Sequence, residues 1–294
     1  MKTGTQFLTV LVTGANRGIG FATARELAIR GHRVLMTSRD TAAGEAALDR
    51  IHEAAPGADV MVGSLELRSF ESIRAFASWV PADIRLDSVV HNAGILIAAP
   101  ERRLTENGLE ECLQVHTVGP MLLTALLRSR LARPSRLIAV SSTLHAPATR
   151  GAEVDFSFLD PGLNSRYHPE RAYKNAKLTQ LWFVLEWERR YGSEGLHADA
   201  VCPGFVPTTA ALSAQGALRF FLKYILPLTP AATSVGKAAK IEADWATLNL
   251  ESAGGRYFDG RHQTLPSGDA RDPLKAELFW RLASGWIGPS GAGL

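Results

Sequence analysis

Cysteine is nearly absent from this 294-residue chain. Cys112 and Cys202 are the only two, each in an apolar context, and no Cys-x-x-Cys occurs. That leaves no disulfide framework, and the pair reads as buried, reduced thiols of a cytosolic protein. The eight histidines fall at no zinc-type spacing, so no metal site is expected. No apolar run reaches the roughly 20 residues that cross a bilayer. The N-terminus, MKTGTQFLTVLVTGANRG, meets glycines too early for a signal peptide, so a cytoplasmic protein without a membrane span is expected. The excess of cations is small, 32 Lys and Arg against 29 Asp and Glu, and they are scattered. Without a concentrated basic patch, no nucleic-acid partner is expected.

What is present is an alternation. LTVLVTG (8–14), RVLMTSR (33–39), ADVMVGSL (58–65), DSVVHNAG (87–94), SRLIAVSS (135–142) and HADAVCPG (197–204) read as strands. Most are apolar throughout, as strands covered on both faces are. Helical patterns lie between them: GFATARELAIRG, TAAGEAALDRIHEAA, SFESIRAFASWV, EECLQVHTVGPMLLTALLRSRL and AYKNAKLTQLWFVLEWERRYG. Strand alternating with helix predicts an α/β fold: a doubly wound parallel sheet of Rossmann type, flanked by helices, in a single domain over 1–294. Two stretches break the rhythm. Residues 146–170 form a Pro- and Gly-rich excursion, and 208–235 carry the bulky apolar ALRFFLKYILPL (217–228). The second reads either as a core or subunit-contact helix or as a lid. In such folds ligands gather beyond the carboxyl ends of the strands, so 205–240 is the expected substrate-loop region. Residues 260–294 form a C-terminal extension.

The first strand runs into Thr13-Gly14-Ala15-Asn16-Arg17-Gly18-Ile19-Gly20, where a helix opens. Glycines at such a turn let the backbone approach a pyrophosphate, and the helix N-terminus offers unpaired N–H groups to it. The second strand ends Met36-Thr37-Ser38-Arg39-Asp40. Ser38 stands where a carboxylate would select NAD(H). Arg39 follows it, and Arg17 adds a second guanidinium, a pairing that suits the extra phosphate of NADP(H). Two solvated surface arginines are the plainer alternative, and Asp40 speaks for it. Tyr173 and Lys177, four apart at the head of a long helical pattern, share one helix face. Alone, that pair is a weak signal.

Together these residues resemble the short-chain dehydrogenase/reductase family, from Leu8 to about Asp259. Thr13-Gly14-x-x-x-Gly18-x-Gly20 matches its cofactor turn, and Asn92-Ala93-Gly94 its motif after the fourth strand. Ser142 closes its fifth strand, Tyr173-x-x-x-Lys177 is its active-site pair, and Pro203-Gly204 follows its sixth strand. LELRSFESIRAF (65–76), LTENGLE (104–110), the wide gap between Ser142 and Tyr173, and GGRYFD (254–259) resemble its retinol-dehydrogenase and protochlorophyllide-reductase-like branch. Members of that branch generally prefer NADP(H). Its membrane-bound members carry an apolar N-terminal anchor that is not seen here, so a soluble relative is expected.

The resemblance implies that Gly14, Asn16, Arg17, Gly18, Ile19 and Gly20 hold the cofactor, with Ser38 and Arg39 at its ribose. It places Leu65 and Glu66 beside the adenine, Asn92, Ala93 and Gly94 along the cofactor, and Pro203, Gly204, Val206 and Thr208 near the nicotinamide. Asn92 to Gly94 read alternatively as a plain turn, and Thr208 as a helix cap. Tyr173 would deliver the proton, and Lys177 would reach the ribose as well. A lysine about 6 Å away, at an effective dielectric of about 20, is worth roughly 3 kcal/mol, which would lower the phenol by about two pKa units. Ser142 would hold the substrate carbonyl. Ser141 is its rival, but neighbouring strand residues face opposite ways. Lys174 is expected in solvent. His116 stands where the family commonly has an asparagine of its proton relay, leaving a relay histidine, a core histidine or a weakened proton supply open. His91 also replaces a common asparagine and reads as structural.

The leading expectation is therefore an NADP(H)-dependent oxidoreductase acting on a lipophilic ketone, aldehyde or secondary alcohol. Non-redox chemistry on the same fold, or a non-catalytic NADP sensor, are the rivals. The helices at 111–132 and 173–191 resemble those the family pairs in a homodimer or homotetramer. A monomer stays open, since residues 260–294 are long enough to cover such a surface.

Overall fold

Strand β1 (Thr9–Val12) is buried along its whole length. Leu11 faces one core, and Val10 and Val12 face another. This two-sided burial is why its sequence is continuously apolar. A computed structural model describes residues 7–95, 101–146, 167–207, 232–248 and 250–288. Around β1 lie β2 (Arg33–Ser38), β3 (Val60–Ser64), β4 (Leu86–His91), β5 (Leu131–Val140), β6 (Leu196–Cys202), β7 (Arg256–Asp259) and β8 (His262–Thr264), in the order β3-β2-β1-β4-β5-β6-β7-β8. All neighbours are parallel except β7 and β8. The chain reverses its direction of winding between β1 and β4, which places a crevice at their carboxyl ends.

Helices cover both faces. On one side lie α1 (Gly18–Ile29), α2 (Thr41–Ala54) and α7 (Val235–Thr247), burying Phe21, Ile51 and Ile241. On the other lie α3 (Phe70–Trp79), α4 (Glu111–Leu113), α5 (Gly119–Leu127), α6 (Pro169–Tyr191) and α8 (Pro273–Ile287), burying Phe76, Leu122, Trp182 and Phe279. Side chains of Asp40, Ser69, Ser234 and Asp272 cap α2, α3, α7 and α8 by accepting first-turn N–H groups.

The structure departs from the sequence expectation in two places. The sheet has eight strands, not six: β7 extends it in parallel and the short, exposed β8 folds back on β7. The helix expected over 111–132 is broken by a π-helical turn at Gln114–Val118, closed by the Gly119 N–H on the Gln114 carbonyl. Pro120 accounts for it: proline has no N–H for the His116 carbonyl four residues back, and its ring crowds that carbonyl.

Candidate active site

The turn between β1 and α1 fits an anionic ligand. Gly14 has φ +66, and a Cβ there would sit 2.9 Å from the Ala93 Cα. Its N–H donates to Thr37 Oγ1 at 3.1 Å. At Gly20 a Cβ would lie 2.3 Å from Asn92 Nδ2. Asn92 Nδ2 donates to the Thr13 carbonyl at 2.8 Å and the Gly14 carbonyl at 3.3 Å, and the Ala93 N–H donates to Thr13 Oγ1 at 3.0 Å. Asn92 and Ala93 thus hold the glycine turn in place. The α1 N-terminus carries no side-chain cap, Arg17 being extended and exposed, so its first N–H groups remain for a ligand. Asn16, Gly18 and Ile19 are half-buried around it.

At the end of β2, Ser38 is buried. Its hydroxyl donates to the Asp40 carbonyl at 2.6 Å, and the Asp40 carboxylate accepts from the Ala43 N–H at 3.0 Å. Arg39 between them is exposed. Leu65 is buried, and Glu66 accepts from Arg68 at its N–H (3.1 Å) and guanidinium (2.8 Å). Burial opposes the charge of Glu66, but Arg68, aided by Arg39, holds the carboxyl below its ordinary range.

At the carboxyl end of β5, Ser142 and Ser141 part as strand neighbours do. Ser142 faces Tyr173 on α6 and lowers its phenol, whereas Ser141 is buried with its hydroxyl toward the Lys177 carbonyl, 3.5 Å away. Lys177 Nζ lies 5.6 Å from the centre of the Tyr173 ring and donates to the Val140 carbonyl at 2.7 Å. Burial pushes the Tyr173 phenol up to about 12 against the lowering effect of the Ser142 bond. This reverses the direction expected from the lysine. Burial also brings Lys177 down to about 8. Lys174 is not solvated as expected; it pairs with Glu170 at 2.6 Å.

His116, in the π-helical turn, sets its ring edge-on to Tyr173 with centroids 5.6 Å apart. Its Nε2 meets the backbone of Ile95, 2.9 Å from the oxygen and 3.1 Å from the nitrogen, while the buried Nδ1 has no hydrogen-bond partner among the described residues. Burial, then the charge of Lys177, keeps the ring well below the ordinary histidine range and therefore neutral. His91 is buried with Nε2 2.9 Å from Thr124 Oγ1, and burial brings it down to about 4, a structural setting. Cys112 and Cys202 are buried and free. Pro203 and Val206 are buried after β6, with Gly204 half-buried between them. Thr208, most of the excursion at 146–170 and the apolar stretch 217–228 lie outside the described residues. Among the described residues no cluster of His, Cys, Asp and Glu gathers for a metal, and no helix is long and apolar enough to cross a membrane.

Three residues not singled out from the sequence, one of them only quoted within the glycine-turn motif, shape this site. Thr13 and Thr37 fasten the glycine turn, and the threonine directly before Gly14 was the available signal. His145, three residues after Ser142, turns its ring back to the Ser142 carbonyl at 2.6 Å.

A doubly wound sheet with a glycine turn at its first strand and a serine, tyrosine and lysine gathered at the same edge is the frame of a dinucleotide-binding enzyme. Comparison with known proteins makes this specific. A family model described as short chain dehydrogenase matches residues 8–150. Dehydrogenase/reductase SDR family member 13 of Bos taurus is 35% identical over 281 residues, covering 94% of this chain and 72% of its own. Retinol dehydrogenase 12 of Homo sapiens is 33% identical over 283 residues, covering 95% of this chain and 86% of its own. Among solved structures, an uncharacterized protein from Mycobacterium Paratuberculosis is 30% identical with a TM-score of 0.74, covering 95% of this chain and 93% of that one. An angucycline C-6 ketoreductase with bound NADP, 23% identical with a TM-score of 0.67 over 87% of this chain and 95% of its own, shares the fold. The chain belongs to the short-chain dehydrogenase/reductase family of oxidoreductases, in its retinol-dehydrogenase-like branch.

Proposed function

We propose that this oxidoreductase uses NADP(H) to interconvert a lipophilic ketone or aldehyde and its alcohol, with Tyr173 as general acid and base. The observation that carries the reading is the convergence of three side chains from two elements. Tyr173 has Ser142 acting on its phenol and stands beside the ammonium of Lys177, at the carboxyl end of the sheet that holds the glycine turn. A bound nicotinamide dinucleotide supplies or accepts the hydride. Gly14 and the α1 N-terminus take its pyrophosphate, and Arg39 and Arg17 its 2′-phosphate. Ser142 holds the substrate oxygen. Tyr173, which keeps its proton at neutral pH, donates it to that oxygen as charge develops there. Lys177, charged below about pH 8, stabilises the phenolate left behind. His116 stays neutral and orders Ile95 and the Tyr173 ring rather than carrying charge.

Three engaged groups support NADP(H) over NAD(H): Ser38 is bonded to Asp40, Asp40 caps α2, and Glu66 is paired with Arg68. A relative named for retinol, a lipophilic alcohol, supports the substrate class. The α6 face is covered by α8, which supports a monomer over pairing through that face.

The test is NADPH consumption with a panel of lipophilic ketones and aldehydes. Tyr173→Phe is expected to lower kcat by about 10²–10⁴-fold. NADPH affinity should stay within a few-fold. Undiminished turnover in that variant removes Tyr173 as the acid. Product formed without cofactor consumption moves the protein to non-redox chemistry.

A further inference from the structure

His145 takes no part in the hydride and proton transfers, yet it is 6% exposed and both ring nitrogens are engaged. Nδ1 lies 2.6 Å from the Ser142 carbonyl oxygen, which also accepts the His145 backbone N–H at 3.2 Å. Nε2 accepts the backbone N–H of Ser267 at 3.2 Å. A carbonyl only accepts and a backbone N–H only donates, so the tautomer is fixed with the proton on Nδ1. The ring also packs edge-on to Tyr257 on β7, centroids 4.9 Å apart.

The bonds around Ser142 divide into two kinds. Ser142 Oγ accepts the Leu144 N–H at 3.2 Å, and with the two His145 bonds this shapes the turn 142–145 from within. The Ser267 bond ties that turn to a segment 122 residues away, between β8 and α8. The same segment is fastened to α6, where Trp182 Nε1 donates to the Asp269 carbonyl at 2.8 Å. The Ala270 N–H closes back on Ser267 Oγ at 3.3 Å, and Lys275 pairs with Asp269. One stretch of three residues is therefore bonded both to the turn that carries Ser142 and to the helix that carries Tyr173 and Lys177.

We infer that Ser267–Asp269 clamp the two halves of the catalytic group together, with His145 the positioning residue that holds the turn carrying Ser142 in place beside α6. The inference rests on Ser142 holding the substrate oxygen. It gives the C-terminal extension a part in turnover as well as in packing. A hydroxyl displaced by even 1 Å loses on the order of 10²-fold in rate.

The test uses the full chain with NADPH and the best carbonyl substrate. His145→Phe keeps the ring against Tyr257 and removes both ring bonds. Ser267→Pro removes the far donor and the Oγ bond to Ala270 while also fixing φ at that position, and Ser267→Ala controls for the Oγ bond. The His145→Phe and Ser267→Pro variants are each expected to lose about 10–100-fold in kcat. KM for NADPH should hold within a few-fold, and Ser267→Ala should remain near wild type. His145→Gln, whose amide oxygen reaches toward Ser267, should recover more of the rate than His145→Asn, which reaches only Ser142. In the free protein, ¹⁵N NMR should find the His145 proton on Nδ1. The clamp is overturned if His145→Phe and Ser267→Pro keep full kcat while Ser142→Ala loses it. A loss of kcat matched by equal losses of NADPH affinity and thermal stability also overturns it, as does a proton on Nε2. If Ser142→Ala is itself fully active, the reading of the catalytic group fails instead.

Discussion

Each of the groups that would exchange a proton or hold a charge near Tyr173 feels burial before it feels its neighbours. Burial raises the phenol, lowers Lys177 and keeps His116 neutral. Ser142 works against the first of these and does not reverse it, while Lys177, 5.6 Å from the ring, is engaged by the Val140 carbonyl. The sequence places tyrosine and lysine on one face but contains no measure of how deeply that face is buried, and so it misjudges the sign. At the proposed ribose end the partners of Glu66 together outweigh its burial, and cofactor selection there would depend on which carboxylates are free. Arg39→Asp is expected to lower kcat/KM for NADPH by about 10–100-fold, the worth of a hydrogen bond to a charged group. The preference should turn to NADH, and steady-state kinetics with both cofactors check this. An unchanged ratio would take Arg39 out of the selection. Arg39 itself is legible from its position after the second strand. That Asp40 is a helix cap is legible only once α2 is seen to begin beside it. Ser142 over Ser141 follows from the family resemblance, strand alternation adding only that the two face opposite ways, whereas His145 is not legible, since its second partner is 122 residues distant.

At the scale of elements, α6, the helix that carries Tyr173 and Lys177, is held from outside by α8. Phe183 and Trp280 stack with centroids 6.2 Å apart, Trp182 meets Phe279 at 5.9 Å, and the Arg190 guanidinium lies 4.8 Å over the Trp280 ring. Trp280 is 3% exposed. Trp280→Ala should therefore cost roughly 3–5 kcal/mol. Urea unfolding followed by circular dichroism measures it, and a loss below about 1 kcal/mol would show α8 to be an appendage. The first six strands and the helices between them were readable because two-sided burial writes continuous apolar runs into a sequence. The last two strands were not: β7 sets its buried Tyr257-Phe258 pair between Arg256 and Asp259, and β8 is three exposed residues, so neither writes a continuous apolar run. The π-helical turn escaped because periodicity cannot count one extra residue per turn, although Pro120 marks where a regular helix must fail.

At the scale of the whole molecule, α1 and α7 join the first βαβ unit to the far half of the sheet, and a carboxyl is buried between them. Glu242 on α7 is fully buried and accepts from Thr23 Oγ1 on α1 at 2.9 Å, while its other oxygen has no hydrogen-bond partner among the described residues. Burial raises it to about 8 from an ordinary 4.5, against the Thr23 bond and the charge of Lys177. The sign follows from proton counting. Between pH 4.5 and about 8 the folded protein holds a proton on Glu242 that the unfolded chain has released, so stability falls as pH rises through that window. Above it both states are ionised and the burden is constant. Lys177 acts later and oppositely, because its charge is relieved from about pH 8 upward. Glu242→Gln keeps an acceptor for Thr23 and cannot ionise, so the difference between variant and wild type isolates this one group. That difference should be about 1 kcal/mol or less at pH 5, grow by up to roughly 1.4 kcal/mol per pH unit, and level off above about pH 8. Denaturant unfolding at about pH 5, 7 and 9 measures it. A difference that stays flat across that range would mean that Glu242 already carries its charge inside the fold, with the contact between α1 and α7 paired more closely than Thr23 alone provides.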